Sequence, residues 1–170
     1  MPEIDFTTMA DGHLAKEVLT MMYALYSEDE PASVADHRRF PLTIEFLLAE
    51  PSRGRIILFT EGVPIRGYSL LIPYWSNEFG GKLLFVDELF VVPEARNRGF
   101  GRKFFGYLDR ERPFNAVAVA LEASPTNIRA RRLYESLGFA PRRNPMLTYR
   151  FHPRFVEDAR LHASARTRVR

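Results

Sequence analysis

The sequence predicts an α/β fold in which about four helices flank a mixed central sheet of about 6–7 strands. Two observations support this prediction. Strand-like runs alternate with helix-like runs in the second half of the chain, and two strands joined by a short turn precede them. The chain has 170 residues, of which 46% are hydrophobic and 14 are Phe, so it is long enough for one domain with a substantial core.

The first half of the chain shows strand and helix signals separated by proline and glycine. Its predicted elements are a strand at 3–8, a helix at 12–26 capped by Asp11, a helical region at 33–51 interrupted by Pro41, strands at 55–60 and 65–73, and a loop at 74–81. The two strands flank a turn at 61–64, which predicts a β-hairpin.

The second half reads as strand, helix, strand, helix, strand. Its predicted elements are a strand at 83–92, a helix at 99–110, a buried strand at 114–122, a helix at 125–137 with Ile128, Leu133 and Leu137 inward and Gly138 as its cap, and a last strand at 145–151. Residues 1–152 are expected to form the domain and residues 153–170 a basic tail.

The turn between the 83–92 strand and the next helix predicts an anion site. Pro93 ends the strand, and Gly99 and Gly101 let the backbone curve tightly where the helix begins. A glycine turn that opens a helix directs several unpaired backbone N–H groups at one point, near the positive end of the helix dipole. Phosphate suits such a site best, so the turn is expected to hold a phosphate-bearing cofactor.

Composition narrows the function classes. The chain has no cysteine, which excludes disulfides, thiolate metal sites and a cysteine nucleophile. No apolar run approaches roughly 20 residues, no signal peptide is evident, and a cytoplasmic location is the default expectation. The net charge of +3 is concentrated at the C-terminal end, where residues 141–170 hold eight arginines and two acidic residues. That segment lacks interleaved aromatic residues, so nucleic-acid binding is not expected.

Two motifs resemble those of the GCN5-related N-acetyltransferases (the GNAT family). The stretch Arg96-Asn97-Arg98-Gly99-Phe100-Gly101 is similar to the family's Arg/Gln-x-x-Gly-x-Gly/Ala signature. One helix and one strand later, Asn127, Ala130, Tyr134 and Gly138-Phe139 reproduce its Asn-x-x-Ala…Tyr…Gly-Phe pattern. The resemblance covers residues 56–151 well and implies a GNAT fold, with a mostly antiparallel sheet splayed between strands 83–92 and 114–122.

The resemblance implies acetyl-CoA as cofactor and assigns residues to it. The backbone of residues 97–102 would hold the pyrophosphate, and the backbone of Leu89, Phe90 and Val91 would pair with the pantetheine arm. The implied cofactor-binding residues are Leu89, Phe90, Val91, Arg96, Asn97, Arg98, Gly99, Phe100, Gly101, Arg102 and Asn127. Arg98, Arg102 and Lys103 are candidates for the 3′-phosphate, although each could equally be a solvated surface charge.

The implied reaction is direct attack of a primary amine on the acetyl group in a ternary complex. Tyr134 is the predicted general acid for the leaving thiolate. Asp87 and Glu88 are candidates for the general base or for binding the cationic amine. Neighbouring residues of a strand face opposite ways, so only one should face the acceptor unless a β-bulge turns both, and the sequence does not decide between them. No metal site is expected, because no histidine and carboxylate cluster has suitable spacing.

The acceptor side is the least specific part of the sequence. Tyr26, Glu28, Tyr74 and Trp75 are the predicted substrate-binding residues, because acidic and aromatic groups together suit a cationic amine. The paired carboxylates loosely resemble spermidine/spermine acetyltransferases, and aminoglycoside-like amines, amino acids, and protein N-termini or lysines remain open. A non-catalytic acyl-CoA-binding module is the alternative function. The family resemblance also makes a homodimer an expectation.

Overall fold

The computed structural model describes residues 3–28 and 36–141. The chain divides into two compact units, residues 1–139 and 140–170, and every element described below belongs to the first. The predicted strand at 145–151 and the basic tail at 153–170 lie outside the described residues. Within them the strands are β1 Ile4–Thr8, β2 Arg55–Glu61, β3 Ile65–Ser76, β4 Gly81–Val91 and β5 Ala118–Leu121, and the α-helices are α1 Ala15–Glu28, α2 Phe40–Ala49, α3 Phe100–Glu111 and α4 Ile128–Ser136.

The described strands form one sheet in the order β1-β2-β3-β4-β5. Neighbouring strands are antiparallel except β4 and β5, which are parallel, so the predicted mixed sheet with flanking helices is confirmed with five strands in the described part of the chain. The β4–β5 ladder covers only Leu83–Val86 of β4. Beyond it, residues 87–91 have no strand partner on the β5 side among the described residues.

Each face of the sheet carries its own core, because side chains alternate between faces along each strand. One core packs Ile56, Leu58, Tyr68, Leu70 and Phe90 against α1 and α2. The other packs Ile57, Phe59, Leu71, Leu84 and Val86 against α3, with Leu137 and Phe139 at its border.

A β-bulge at Asp87 interrupts the alternation of β4. Leu70 pairs with Glu88 and Leu71 with Val86, so Asp87 has no opposite residue on β3. Before the bulge the even-numbered Val86 lies in the α3-side core, and after it the even-numbered Phe90 lies in the α1–α2 core. The bulge therefore moves each residue that follows it to the other face of the sheet.

Four details of the predicted elements were wrong: three concern where elements begin or end, and the fourth concerns the side chain of Ile128. Pro41 does not interrupt a helix but lies in the first turn of α2, where its missing N–H costs nothing. Residues 74–76 are not loop: Tyr74 and Trp75 continue β3, because they pair with Leu83 and Lys82 of β4. The predicted strand at 114–122 begins only at Ala118 and lies at the edge of the described sheet, which leaves Val117 exposed.

Ile128 was expected to point inward but is 53% exposed, since it is the first residue of α4, directly after the cap. The α1 prediction agrees better: the Asp11 carboxylate accepts a hydrogen bond from the His13 N–H and caps the short 3₁₀ turn that leads into α1. In the described ranges no helix is long and apolar enough to span a bilayer.

Candidate active site

A cleft of about 560 Å³ opens beside the unpaired edge of β4. Its wall is built from the end of α1, the end of β4, the turn into α3 and the first turns of α4. The lining residues are Leu25, Glu28, Leu89, Phe90, Val91, Ala95, Arg96, Asn97, Gly99, Phe100, Gly101, Arg102, Thr126, Asn127, Arg129, Ala130, Leu133 and Tyr134. The structure thus brings together most of the predicted cofactor residues, which come from the end of β4, the turn into α3 and the start of α4.

The turn at residues 96–101 has the backbone conformation that an anion site needs. Asn97 and Gly99 both have positive φ, 64° and 87°, and Gly99 directly precedes the first residue of α3. A Cβ added at Gly99 would meet nothing within 4 Å, so the backbone is open to an approaching ligand there. The close packing is at Gly101, where a Cβ would come within 2.7 Å of Leu133 in α4.

Arg96 links three parts of the cleft wall. Its Nε donates to the Val91 carbonyl at 2.8 Å, and its Nη2 donates to both carboxylate oxygens of Glu28 at 2.7 and 2.8 Å. Glu28 was predicted to bind substrate, but the structure pairs it with Arg96 inside the cleft. The end of α1 is therefore joined to the turn at residues 96–101 through this ion pair.

Helix α4 contributes Asn127 and Tyr134 to the cleft. The Asn127 side-chain oxygen accepts a hydrogen bond from the Ala130 N–H at 3.1 Å, which caps the helix. Tyr134 lies two turns further along, with its ring edge-to-face on Phe105 (centroids 5.7 Å apart) and tilted against Phe139 at 5.8 Å. These contacts fix the ring at the cleft wall.

The residues of the cleft fit a phosphate-bearing cofactor. Its charged lining consists of Arg96, Arg102 and Arg129 against the single carboxylate of Glu28. The open backbone at Gly99 and the start of α3 lie on the same wall. An arginine-rich cleft at a helix N-terminus favours an anionic ligand.

Glu88 is a buried carboxylate held by two tyrosines. The Tyr68 hydroxyl donates to Oε2 at 2.7 Å and the Tyr26 hydroxyl donates to Oε1 at 3.1 Å. Ser69 Oγ also donates to the Glu88 carbonyl at 2.8 Å, which ties the backbone next to the bulge. Burial raises the pKa of Glu88, the bonds from Tyr68 and Tyr26 lower it, and the Asp87 charge raises it.

Asp87 has the opposite environment. Its side chain is exposed and lies at the bulge, where the β4–β5 ladder has ended. The protein around the Asp87 carboxylate displaces part of its hydrating water, which raises the pKa of Asp87. The Glu122 carboxylate just beyond β5 raises that pKa further. The bulge thus does not turn the two adjacent carboxylates the same way: Glu88 is buried and Asp87 is exposed.

Residues 19–139 match the sequence profile of the acetyltransferase (GNAT) family. The matched segment spans well over half of the chain and contains the whole cleft wall.

The chain belongs to the GNAT family.

Its members are acetyl-CoA-dependent N-acetyltransferases, and this GNAT protein is an enzyme of that class. Curated protein sequences include no significant match to it. Among solved structures, a possible acetyltransferase from Clostridium difficile 630 is similar over 88% of this chain and 98% of its own, with 19% identity and a TM-score of 0.73. An integron cassette protein from the mobile metagenome of Cole Harbour Salt Marsh shares 26% identity over 87% of this chain and 91% of its own, with a TM-score of 0.68.

A third similar structure is an aminoglycoside N-acetyltransferase in complex with CoA. It has 17% identity to this GNAT protein over 89% of this chain and 96% of its own, with a TM-score of 0.65. These likenesses support the GNAT fold found in the described residues.

Other predicted residues lie away from the cleft of this GNAT protein. Tyr74 and Trp75 are 42% and 66% exposed at the far end of β3, and the Trp75 indole donates to Asn77. They are paired with residues 82–83 of β4, roughly 15 Å along the strand from the bulge. The side chain of Arg98 is paired with Glu61, and Arg98 is not part of the cleft wall.

Two contributions to the site were missed from the sequence. Arg129 lines the cleft and could have been noticed, because it falls inside the Asn-x-x-Ala motif. Tyr68 could not, since it reaches Glu88 only through the pairing of β3 with β4. Within residues 3–28 and 36–141, no group of three His, Asp or Glu residues could hold a metal ion.

Proposed function

We propose that this GNAT protein transfers the acetyl group of acetyl-CoA to a primary amine by direct attack in a ternary complex, and that its acceptor is a small cationic amine. The observation that carries the proposal is the position of an exposed carboxylate, Asp87, where β4 leaves its ladder with β5, two residues before Leu89 in the wall of the arginine-rich cleft. When bound, acetyl-CoA would supply an acetyl group activated as a thioester.

The chain's own groups would hold the cofactor in the cleft. The backbone N–H groups of residues 97–102 would bind the pyrophosphate, with Arg102 and Arg129 as cations in the same wall. The free edge at Leu89–Val91 would pair with the pantetheine arm, as an added strand would. Because the Asn127 oxygen caps α4, the side-chain nitrogen would make its contact with the cofactor.

Asp87 is the better candidate for receiving the amine. An acceptor ammonium must lose a proton before it can attack, and a carboxylate with a raised pKa is a stronger base than an ordinary one. Asp87 is exposed, whereas both oxygens of Glu88 are occupied by tyrosine hydroxyls. We assign Asp87 to bind the ammonium and accept its proton at a carboxylate oxygen, directly or through one water molecule.

Tyr134 is proposed as the general acid. Its ring is fixed at the cleft wall, and its side chain would donate the hydroxyl proton to the leaving sulfur. A phenol is suited to this role because it is protonated at neutral pH.

The acidic pair Asp87 and Glu122 supports a cationic acceptor. The two carboxylates are close enough for Glu122 to raise the pKa of Asp87, and a bound ammonium would relieve that repulsion. Polyamines and aminoglycosides carry several ammonium groups and therefore fit best. A protein N-terminus or lysine presents one cation, and its acetylation is the outcome that would redirect the acceptor assignment.

The test is thiol release from acetyl-CoA with spermidine, an aminoglycoside, a free amino acid and a short peptide. Asp87→Asn should lower kcat/KM for the preferred amine about 10²-fold at neutral pH, and Tyr134→Phe should lower kcat by a similar factor, while both retain CoA binding. Asp109→Asn, which changes an exposed aspartate on α3, is the matched control and should leave the rate unchanged. Binding of CoA without turnover on any amine would instead support a non-catalytic acyl-CoA-binding module.

A further inference from the structure

Glu61 is a buried carboxylate that the proposed reaction does not use. It ends β2 with only 7% of its surface exposed, and its partner is the guanidinium of Arg98, 37 residues further along the chain. A buried carboxylate is costly unless it is paired, so this ion pair has a structural reason to persist. Because its partner belongs to the turn at residues 96–101, the pair connects β2 to that turn.

The connection reaches the middle of the turn. Arg98 stands between Asn97 and Gly99, which both have the left-handed conformation. Of these two residues only Asn97 has a Cβ, and asparagine adopts the left-handed conformation more readily than most side chains but less readily than glycine. Arg96 fixes one end of the turn through the Val91 carbonyl, and the pair of Arg98 with Glu61 fixes its middle.

Arg98 faces away from the cleft while its neighbours line it. Asn97, Gly99, Phe100, Gly101 and Arg102 all contribute to the cleft wall, and Arg98 does not. Its charge is directed to the end of β2 instead. This geometry argues against direct contact between the Arg98 side chain and a ligand in the cleft.

We infer that Glu61 is a positioning residue for cofactor binding: by holding Arg98 at the end of β2, it keeps the backbone N–H groups of residues 97–102 aimed at one point in the cleft. The inference rests on the proposed binding of acetyl-CoA. It makes the affinity for CoA depend on a carboxylate that lies outside the cleft.

The experiment measures CoA binding by isothermal titration calorimetry for the unaltered protein, Glu61→Gln, Arg98→Gln and the double variant. Each of the three variants should raise the Kd for CoA about 10-fold, as expected for losing one charge-assisted hydrogen bond that orders the turn. The double variant should have about the same Kd as the single ones, because either substitution already removes the Arg98–Glu61 ion pair. It also leaves no unpaired buried charge, so it remains informative if a single variant folds poorly. Glu111→Gln, which breaks the exposed Arg110–Glu111 pair at the other end of α3, is the control and should bind normally.

A second ligand separates positioning from direct contact. With 3′-dephospho-CoA the same fold-changes should appear, because the turn acts on the pyrophosphate. The KM for acetyl-CoA should rise in parallel while kcat and the acceptor KM stay unchanged. The inference is overturned if Glu61→Gln binds CoA as well as the unaltered protein, or if the effect of Arg98→Gln disappears with 3′-dephospho-CoA, since Arg98 would then contact the ligand itself. Failure of the unaltered protein to bind CoA would overturn the proposed cofactor and this inference with it.

Discussion

Replacing Tyr68 by Phe should destabilise the protein in a pH-dependent way. The substitution removes the hydroxyl that donates to Glu88 at 2.7 Å and leaves the ring in the α1–α2 core, where Tyr68 is fully buried. Hydrogen bonds to charged groups contribute about 1.5–3 kcal/mol, and burial favours the upper part of that range. We therefore expect a loss of about 2–3 kcal/mol in the free energy of unfolding at pH 8.

The size of this loss should fall in acid. The Tyr68 bond lowers the pKa of Glu88 and so stabilises its ionised form, although burial keeps that pKa above the ordinary 4.5. The difference between the two proteins is therefore complete at pH values above the pKa that Glu88 has in the variant, and it decreases as the pH falls from there through the lower pKa of the unaltered protein. Once Glu88 is protonated, only a neutral hydrogen bond remains to be lost, which contributes about 1 kcal/mol. Tyr68 itself stays protonated throughout, because burial and the nearby Glu88 raise its pKa far above the ordinary 10.0.

Urea unfolding at pH 8 and at pH 4.5 measures both quantities. Tyr107→Phe is the control, since Tyr107 is a partly buried tyrosine of α3 that packs against Phe6 and Phe104 on the other face of the sheet. It should show a small loss without pH dependence. An equal loss for Tyr68→Phe at both pH values, or a loss below about 1 kcal/mol at pH 8, would refute the account of a hydrogen-bonded buried carboxylate.

Two further substitutions test the cleft. Gly99→Ala should lower the free energy of unfolding by about 1–2 kcal/mol and the melting temperature by about 2–8 °C, because φ is 87° there. The control is Gly106→Ala within α3, which should stabilise the protein because a Cβ there meets nothing within 4 Å. A Gly99→Ala variant as stable as the unaltered protein would contradict the described turn. Glu28→Gln should tighten CoA binding up to about 5-fold at low salt, because it removes the one carboxylate of the cleft lining and the ion pair with Arg96. This gain in affinity should shrink as salt is added. Weaker binding would indicate that the Glu28–Arg96 pair organises the cleft.

The parts of the site that the sequence predicted are local in the chain. The turn at residues 96–101 and the cap at Asn127 depend on glycines and side chains within a few residues of each other, so their patterns are visible without the fold. The strand at 83–92 was likewise recognisable from its β-branched and aromatic residues.

What the sequence could not predict depends on register and on distant pairs. The different burial of Asp87 and Glu88 goes with the bulge, which exists only relative to β3. Arg98 reaches Glu61 and Arg96 reaches Glu28 across long stretches of chain, and neither pair is visible in the local sequence. Tyr74 and Trp75 read as loop because Pro73 precedes them, yet pairing with β4 extends the strand past that proline.

The bulge at Asp87 divides β4 into two halves whose side chains alternate in opposite phase. Residues before it present even-numbered side chains to one core and residues after it present even-numbered side chains to the other. Substitutions at Asp87 do not change which core the residues on either side face, so they can change the chemistry of the site while the sheet is preserved. Deletion of this one residue would remove the bulge and leave Glu88 and Phe90 on the faces they already occupy, because Val86 and Glu88 already pair with the neighbouring residues Leu71 and Leu70. Position 87 should therefore tolerate a change of residue type, and even its own deletion, without moving either core, although deletion would remove the exposed carboxylate.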